Sequence, residues 1–296
     1  MSEVDLIGFS PEPPPTLVFD EKPSRTSRAV MLDIVAGTGE RRRLIDPTIR
    51  PDSQNLVPIE HDFPDVDEEF VVGAVAVRTT TGQPYRKMSG KKRSEQFAFP
   101  SVRSGTTLMV EGSAHMAHVL RCEVQHEQDY VLTESLALKW RDPRDGAKRL
   151  HVVDTEIRKD GRMAGIVEIK RSEYDVRDPE KRFFYACVHE ILRRIAVPFE
   201  ILFARDIFEN RTHRKNCELV AMRRFVAPEF RHLERLARLA ARCPASTYAE
   251  IAHSLEPTRP LFGEALVQGL IVRGRVHVDL TQRLRPSTPA SIRPFD

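Results

Sequence analysis

The sequence has few cysteines and no long hydrophobic run. Only 4 of its 296 residues are cysteine, and they lie far apart with no C-x-x-C pair among them. This spacing argues against a structural zinc site and predicts a reduced, cytoplasmic protein. The longest strongly apolar stretch, at residues 70–77, is much shorter than the roughly 20 residues that a membrane-spanning helix needs. We therefore expect no membrane partner.

Charge of one sign does not dominate either. The formal net charge is +3, with 41% hydrophobic and 30% charged residues, which is typical of a folded globular protein. The mildly basic balance is compatible with a nucleic-acid partner but does not establish one. The N-terminus lacks the apolar core of a signal peptide. Because prolines recur throughout residues 1–65, we expect an extended, largely disordered arm, which has no role or tethers a protein or DNA.

The most informative stretch is residues 151–170, which has the pattern of a two-stranded hairpin. A first strand is predicted at residues 150–158 and a second at residues 164–171. Asp160 and Gly161 lie between them and tolerate the positive φ angles of a tight turn. We therefore expect the two strands to pair in antiparallel fashion.

Three charged side chains of this hairpin are the candidate catalytic group. Side chains alternate along a strand, so Glu168 and Lys170 share one face while Val167 and Ile169 share the apolar one. Pairing across the turn brings Asp154 close to Glu168 and Lys170. Carboxylates are suitable ligands for Mg²⁺, and an adjacent lysine can position water or neutralise a phosphate. The alternative is a solvated hairpin edge with no chemical role.

These motifs resemble those of the TnsA family, the endonuclease subunit of heteromeric transposases. Asp154 and Glu168-Ile169-Lys170 match its second-strand and third-strand motifs. Residues 184–203 resemble its next helix and strand, residues 133–140 the strand entering the site, and residues 206–224 its closing element.

The resemblance implies a PD-(D/E)XK, restriction-endonuclease-like α/β domain at residues 66–227, with a mixed sheet flanked by helices. It also implies hydrolysis at the 5′ ends of a mobile element, dependent on Mg²⁺ (or Mn²⁺). The implied partners are double-stranded DNA, an integrase-type transposase and an AAA+ regulator.

One position departs from the family pattern. The first-helix signature of the family is Glu-Ser-x-x-Glu, and its second Glu is the third metal-binding carboxylate. Here His115 occupies that position. With a helix predicted from residue 112 to 122, Glu111 lies one turn earlier on the same face and is the doubtful third ligand beside Asp154 and Glu168. Glu156, two residues after Asp154, is another candidate substitute.

Two basic clusters are candidate phosphate contacts, with an ordinary solvated surface as the alternative. The first lies in a predicted loop just before the nuclease-like segment, and the second lies near a helix after it. They comprise Arg86, Lys87, Lys91, Lys92 and Arg93, and then Arg214 and Lys215.

Two further elements carry clear local signals. Asp178-Pro179-Glu180 predicts a helix start, with Asp178 as the N-cap and an end near residue 195. Strands are predicted at residues 131–140 and 199–203, because both stretches are apolar and β-prone.

The C-terminal region has a different pattern. Three helices are predicted. The first covers residues 229–242, the second begins at the capping box that Thr247 opens, and the third covers residues 260–269. Residues 270–280 alternate like a hairpin around Gly274. This order predicts a winged-helix-like domain at residues 228–284, followed by a flexible tail at 285–296. Such a domain binds DNA through its third helix or docks a protein.

Three functions remain open from the sequence. The first is a TnsA-like DNA endonuclease that uses Asp154, Glu168 and Lys170. The second is a catalytically impaired nuclease-fold subunit that binds DNA and bridges transposition proteins. The third is a winged-helix DNA-binding regulator.

Overall fold

The computed structural model describes residues 29–34, 74–79, 84–85, 95–142, 144–243 and 245–293. This part of the chain is mixed α/β. Most of the predicted arm at residues 1–65 lies outside it, as does the first basic cluster. No helix within the described ranges is long and apolar enough to cross a membrane.

The elements follow one another in a strand-rich first half and a helix-rich second half. In chain order they are β1 (Ala29–Ile34), β2 (Ala74–Thr79), β3 (Gln96–Ser101), β4 (Thr106–Glu111), α1 (Ser113–Val124), β5 (Tyr130–Thr133), β6 (Leu136–Arg141), β7 (Lys148–Val152), β8 (Thr155–Lys159), β9 (Arg162–Lys170), α2 (Pro179–Arg194), β10 (Phe199–Phe203), α3 (Arg211–Met222), α4 (Phe230–Arg242), β11 (Ala245–Thr247), α5 (Tyr248–Leu255), α6 (Pro260–Val272), β12 (Val276–Val278) and β13 (Pro289–Ile292).

Two four-stranded sheets organise the first half. One is antiparallel, in the order β1-β2-β6-β7, and the other is mixed, in the order β10-β9-β8-β5. In the mixed sheet β10 runs parallel to β9, while the remaining pairs are antiparallel. Strands β3 and β4 form a separate hairpin.

The predicted strands at residues 131–140 and 150–158 are each broken in two. Glu134 has a φ of 51° and separates β5 from β6. Residues 153 and 154 separate β7 from β8. The Glu134 N–H donates to the Asp154 carbonyl at 3.1 Å, so the two breaks face each other. The paired segments β5–β6 and β7–β8 therefore both pass from one sheet to the other, and Asp154 lies where they cross.

The central turn and the division of faces on β9 are confirmed. Asp160 and Gly161 have φ angles of 51° and 72°, and they connect β8 to β9. Val167 and Ile169 are buried against Leu202 and Ile207. Burial of this apolar face fixes the register, because a slip of one residue would expose it.

Helix α2 begins where the sequence predicts. The Asp178 carboxylate accepts hydrogen bonds from the Glu180 and Lys181 N–H groups, and Pro179 occupies the first turn. Its buried side chains, including Val188 and Ile191, pack in a core with residues of β6 and β9. The following strand β10 is also confirmed.

The C-terminal segment differs from its prediction in two respects. Residues 270–280 are not a hairpin, because they contain the end of α6, a turn at Gly274 and β12. The partner of β12 is β13, which lies in the predicted flexible tail and forms the centre of a three-stranded sheet in the order β11-β13-β12. The tail is thus a structural part of this segment.

The C-terminal helices share one core with the first half of the chain. Val124 of α1 and Cys217 and Val220 of α3 are buried in the same cluster as Leu266 and Leu270 of α6. The Asn216 side chain also donates to the carbonyls of Leu280 and Gln282, at 2.8 and 2.6 Å. This core crosses the domain boundary predicted at residues 227 and 228.

Candidate active site

One cavity of about 450 Å³ lies where the two sheets meet α2. It is lined by charged and polar groups on one side and by aromatic and aliphatic groups on the other. Its lining residues are Tyr85, Leu150, His151, Val152, Asp154, Glu168, Lys170, Phe184 and Tyr185.

The structure brings together the three residues that the hairpin pattern singles out. Asp154 enters the cavity from the crossing between β7 and β8, while Glu168 and Lys170 come from the end of β9. Alternation places Glu168 and Lys170 on the same side of that strand, opposite the face that packs on the core. The carboxyl groups of Asp154 and Glu168 therefore face a common space.

Lys170 lies between the two carboxylates. Its Nζ is 2.5 Å from Oε1 of Glu168 and 3.7 Å from Oδ2 of Asp154. The backbone N–H of Ile169 donates to the same Asp154 oxygen at 2.8 Å. The hydroxyl of Tyr185 donates to Oε1 of Glu168 at 3.2 Å. Each carboxylate is thus held by an independent contact as well as by the ammonium group.

The charges of this group influence one another strongly. Burial and the neighbouring charge of Glu168 raise the pKa of Asp154 to about 7. Burial alone would raise the pKa of Glu168, but His151 and Lys170 outweigh it and lower that pKa to about 2. Although burial opposes it, the two carboxylates raise the pKa of Lys170 above its usual range. Glu168 and Lys170 are therefore charged at neutral pH, while Asp154 keeps its proton to a higher pH than an exposed aspartate does.

His151 belongs to the site, although no motif in the sequence marks it. It lies on β7, and its Nε2 is 3.1 Å from Oε2 of Glu168. Its ring makes T-shaped contacts with those of Phe184 and Tyr185, with centroid separations of 5.4 and 6.1 Å. Since β7 belongs to the antiparallel sheet and Glu168 to the mixed one, no local spacing could have predicted the contact.

His115 occupies a different environment from a catalytic carboxylate. It is 2% exposed on α1, and its Nε2 lies 3.1 Å from the Thr155 hydroxyl. Burial lowers the pKa of the ring to about 4. His115 does not line the cavity, although it interacts with the backbone of Asp154 from behind the site.

Glu111 is not on the helix where the sequence predicts it. It is the last residue of β4, and Gly112, with a φ of 84°, separates it from α1. It therefore cannot share a helix face with His115, and it is absent from the cavity lining.

Glu156 is engaged in a buried ion pair. Its carboxylate is fully buried and accepts hydrogen bonds from Ser135 at 2.8 Å and from Arg158 at 3.0 Å. The predicted role as a substitute ligand is therefore not supported by its contacts, since both oxygens already have donors.

The structure locates only part of the predicted phosphate contacts. Arg214 and Lys215 are exposed on α3, and Arg214 pairs with Glu218 at 2.8 Å. The cluster of Arg86, Lys87, Lys91, Lys92 and Arg93 lies outside the described residues.

The donor atoms of the cavity suit a divalent cation bound through few protein ligands. In the described ranges no group of three or more His, Cys, Asp or Glu residues is arranged to hold a metal. Asp154 and Glu168 nevertheless line one cavity, and the buried Oε2 of Glu168 has no hydrogen-bond partner. Mg²⁺ commonly binds through one or two carboxylates and keeps several waters, so this pair fits such an ion.

No protein-family model matches the chain, and no curated protein matches it. The geometry of this cavity and the sequence motifs that form it are therefore the basis for inferring a function.

Proposed function

We propose that this chain is a TnsA-like DNA endonuclease subunit of a transposase, which hydrolyses a phosphodiester bond at the 5′ ends of a mobile element with Mg²⁺ or Mn²⁺. The observation that supports it most is the convergence of Asp154, Glu168 and Lys170 on one cavity. These residues come from the end of β9 and from the bend between β7 and β8, and a solvated hairpin edge would not require such convergence.

Each residue has a distinct role in this proposal. Asp154 and Glu168 would hold the metal ion, whose chemistry when bound would be to stabilise developing charge on the phosphate and to activate water. Lys170 is charged at neutral pH, so its ammonium hydrogen-bonds a phosphate oxygen or the attacking water. Tyr185 fixes Oε1 of Glu168, which leaves Oε2 of the same carboxylate as the ligand atom.

The arrangement of β8, β9, α2 and β10 supports the finer fold assignment. An antiparallel pair carries the charged motif, and a helix then leads to a strand parallel to β9. This order agrees with the restriction-endonuclease-like core that the resemblance implies. The C-terminal order of helix, strand, two helices and two strands, with β13 central, likewise agrees with a winged-helix-like domain.

A specific observation also favours the impaired-subunit alternative. Helix α1 offers no carboxylate to the cavity, because His115 is buried against Thr155 and Glu111 ends β4. In this version the chain binds DNA and bridges an integrase-type transposase and an AAA+ regulator without cutting. The two versions of the proposal differ only in whether two carboxylates are sufficient to support DNA cleavage.

The regulator alternative has less support. In helix-turn-helix proteins the N-terminal residues of the recognition helix contact the bases. Here the exposed start of α6 presents Pro260, Leu261 and Glu264, and its last seven residues are buried. Arg259 beside them is paired with Glu256 at 2.9 Å. This helix therefore offers little positive charge to DNA.

The test is metal-dependent nicking of supercoiled plasmid DNA by the full chain, alone and with an integrase-type transposase. Asp154→Asn should abolish nicking, because Asn retains an acceptor for the Ile169 N–H but loses the charge. Asp160→Asn is the matched control, since this exposed turn residue tolerates Asn. Nicking that survives in Asp154→Asn would exclude this site, and DNA binding without nicking would favour the impaired subunit.

A further inference from the structure

Two buried atoms at the cavity face each other without a hydrogen bond. Nε2 of His151 and Oε2 of Glu168 are 3.1 Å apart, yet neither has a hydrogen-bond partner. This separation allows an ion pair, and His151 helps to lower the pKa of Glu168, but the two atoms are not aligned for a hydrogen bond. Buried polar groups without partners are rare and commonly indicate a missing ion or water.

The surroundings hold both groups in this orientation. The His151 ring makes T-shaped contacts with those of Phe184 and Tyr185, and its residue pairs with Leu138 across β6 and β7. On the other side, Lys170 and Tyr185 both contact Oε1 of Glu168. Because Oε1 is engaged twice, Oε2 remains directed towards the histidine side. Packing and these contacts thus restrict both groups in addition to the electrostatic attraction between them.

The geometry is that of two neighbouring ligands on one ion. In an octahedral shell with ligand bonds near 2.1 Å, adjacent ligand atoms lie about 3 Å apart. Two such ligands would direct their lone pairs towards the ion instead of towards one another, which would account for a short distance without hydrogen-bond alignment. We propose that His151 is a metal ligand, binding the same divalent ion as Glu168. This inference rests on the proposed function in one respect, because the ion bound by His151 and Glu168 is taken to be the one used in phosphodiester hydrolysis.

An imidazole ligand has a consequence for metal preference. Carboxylate and water ligands suit Mg²⁺, whereas imidazole nitrogen suits first-row transition metals. The site should therefore bind Mn²⁺ more tightly than Mg²⁺, and His151→Ala should reduce that difference. An all-carboxylate site would show no such dependence on residue 151.

The experiment is pulsed electron paramagnetic resonance of the full chain with Mn²⁺ alone, together with Mn²⁺ titration. The expected result is a ¹⁴N coupling to bound Mn²⁺ that disappears in His151→Ala, with a loss of Mn²⁺ affinity of at least about 10-fold, since even the partners that orient metal ligands are worth that much. His253→Ala is the control, because His253 is exposed on α5, and it should keep both coupling and affinity. His151→Gln, a polar replacement, guards against misfolding and should also lose the coupling.

The outcomes separate this inference from the nuclease proposal. Mn²⁺ bound without a ¹⁴N coupling, a coupling retained in His151→Ala, or no Mn²⁺ binding at all would overturn the ligand role of His151. If Asp154-dependent nicking persists in any of these cases, the nuclease proposal stands. A coupling that depends on His151 in a protein that never nicks DNA would support the metal site and reject the nuclease.

Discussion

Nζ of Lys170 lies 2.5 Å from Oε1 of Glu168, and the same nitrogen is 3.7 Å from Oδ2 of Asp154. The Glu168 side chain is only 3% exposed, so its charge depends on nearby cations and not on water. The ammonium is thus the resident counter-charge of a site that we propose to hold a divalent ion. Metal binding and the stability of the metal-free protein should therefore be linked through this lysine.

Lys170→Met should destabilise the metal-free protein on the order of 3 kcal/mol, because removing one partner of a buried pair leaves the other charge uncompensated. Added Mn²⁺ should restore part of this loss, since the ion replaces the missing charge. Thermal melts in EDTA and in Mn²⁺ measure both effects. Lys148→Met, at an exposed lysine of β7, is the control and should respond to neither change. Equal melting of Lys170→Met and the native chain in EDTA would contradict the linkage.

Asp154→Asn should stabilise the metal-free protein near neutral pH. The folded pKa of Asp154 is about 7, raised from 3.8 by burial and by the charge of Glu168. Between these values the folded state holds the proton that the unfolded chain has lost, so the contribution of Asp154 to the free energy of unfolding falls as pH rises. Asn does not titrate, and each kcal/mol regained should raise Tm by roughly 2–4 °C. Thermal melts in EDTA at pH 4.5 and 7.5 test this. The prediction is contradicted if Tm changes between the two pH values by the same amount in the native chain and in the variant.

Short-range signals predicted the parts of the site that one strand or one turn determines. The Asp160-Gly161 turn, the alternation of Glu168 and Lys170, and the Asp178 cap all depend on residues close in sequence. These elements were predictable because backbone sterics and burial of one face decide them locally.

Long-range features were not predictable from the same patterns. The break at Glu134 and the break at Asp154 lie opposite each other, and only pairing between two sheets produces them. His151 reaches Glu168 across the boundary between the two sheets. Strand β13 pairs between β11 and β12, although both precede it in the sequence. Helical spacing placed Glu111 one turn before His115, but Gly112 interrupts the helix.

The pair of Glu156 and Arg158 should be structural and not metal-binding. Glu156→Leu should cost about 3–5 kcal/mol, because it leaves the 3%-exposed Arg158 without its partner. The double variant Glu156→Leu/Arg158→Leu should lose less than the sum of the single changes, which urea unfolding of all four proteins measures. Mn²⁺ affinity should remain unchanged in the folded double variant, and a clear loss would assign Glu156 to the metal site.

The contributions of His115 and His118 to stability should decrease as pH falls from about 6.5 towards 4, opposite in sign to the contribution of Asp154. Burial lowers the pKa of His115 to about 4 and that of His118 to about 3, so both stay neutral in the folded state while the unfolded chain takes up protons. Stability is complete above the unfolded pKa, and each group contributes a slope of up to about 1.4 kcal/mol per pH unit below it. His115→Gln should reduce this slope in urea unfolding between pH 7 and 4.5. The exposed His253→Gln should leave the slope unchanged, and equal slopes in all three proteins would be inconsistent with a buried neutral His115.

Truncation after Leu284 should unfold the C-terminal helices, although the sequence predicts a dispensable tail. The deleted segment contains the central strand β13, with Ala290 and Ile292 buried in the shared core. It also supplies the Thr288 and Pro286 carbonyls that accept hydrogen bonds from the first N–H groups of α5. Burial of one large aliphatic side chain alone is worth about 1.5–3 kcal/mol.

Hydrogen exchange should therefore show loss of protection in α4, α5 and α6, and also in α3, because α3 packs in the same core. A chain that ends at Arg293 keeps β13 and is the matched control, which should retain native exchange. Native protection of these helices without β13 would mean that the strand is an addition to the fold and not part of what stabilises it. Protection lost from α4 to α6 but kept in α3 would show that α3 is stabilised by its contacts with α1 instead.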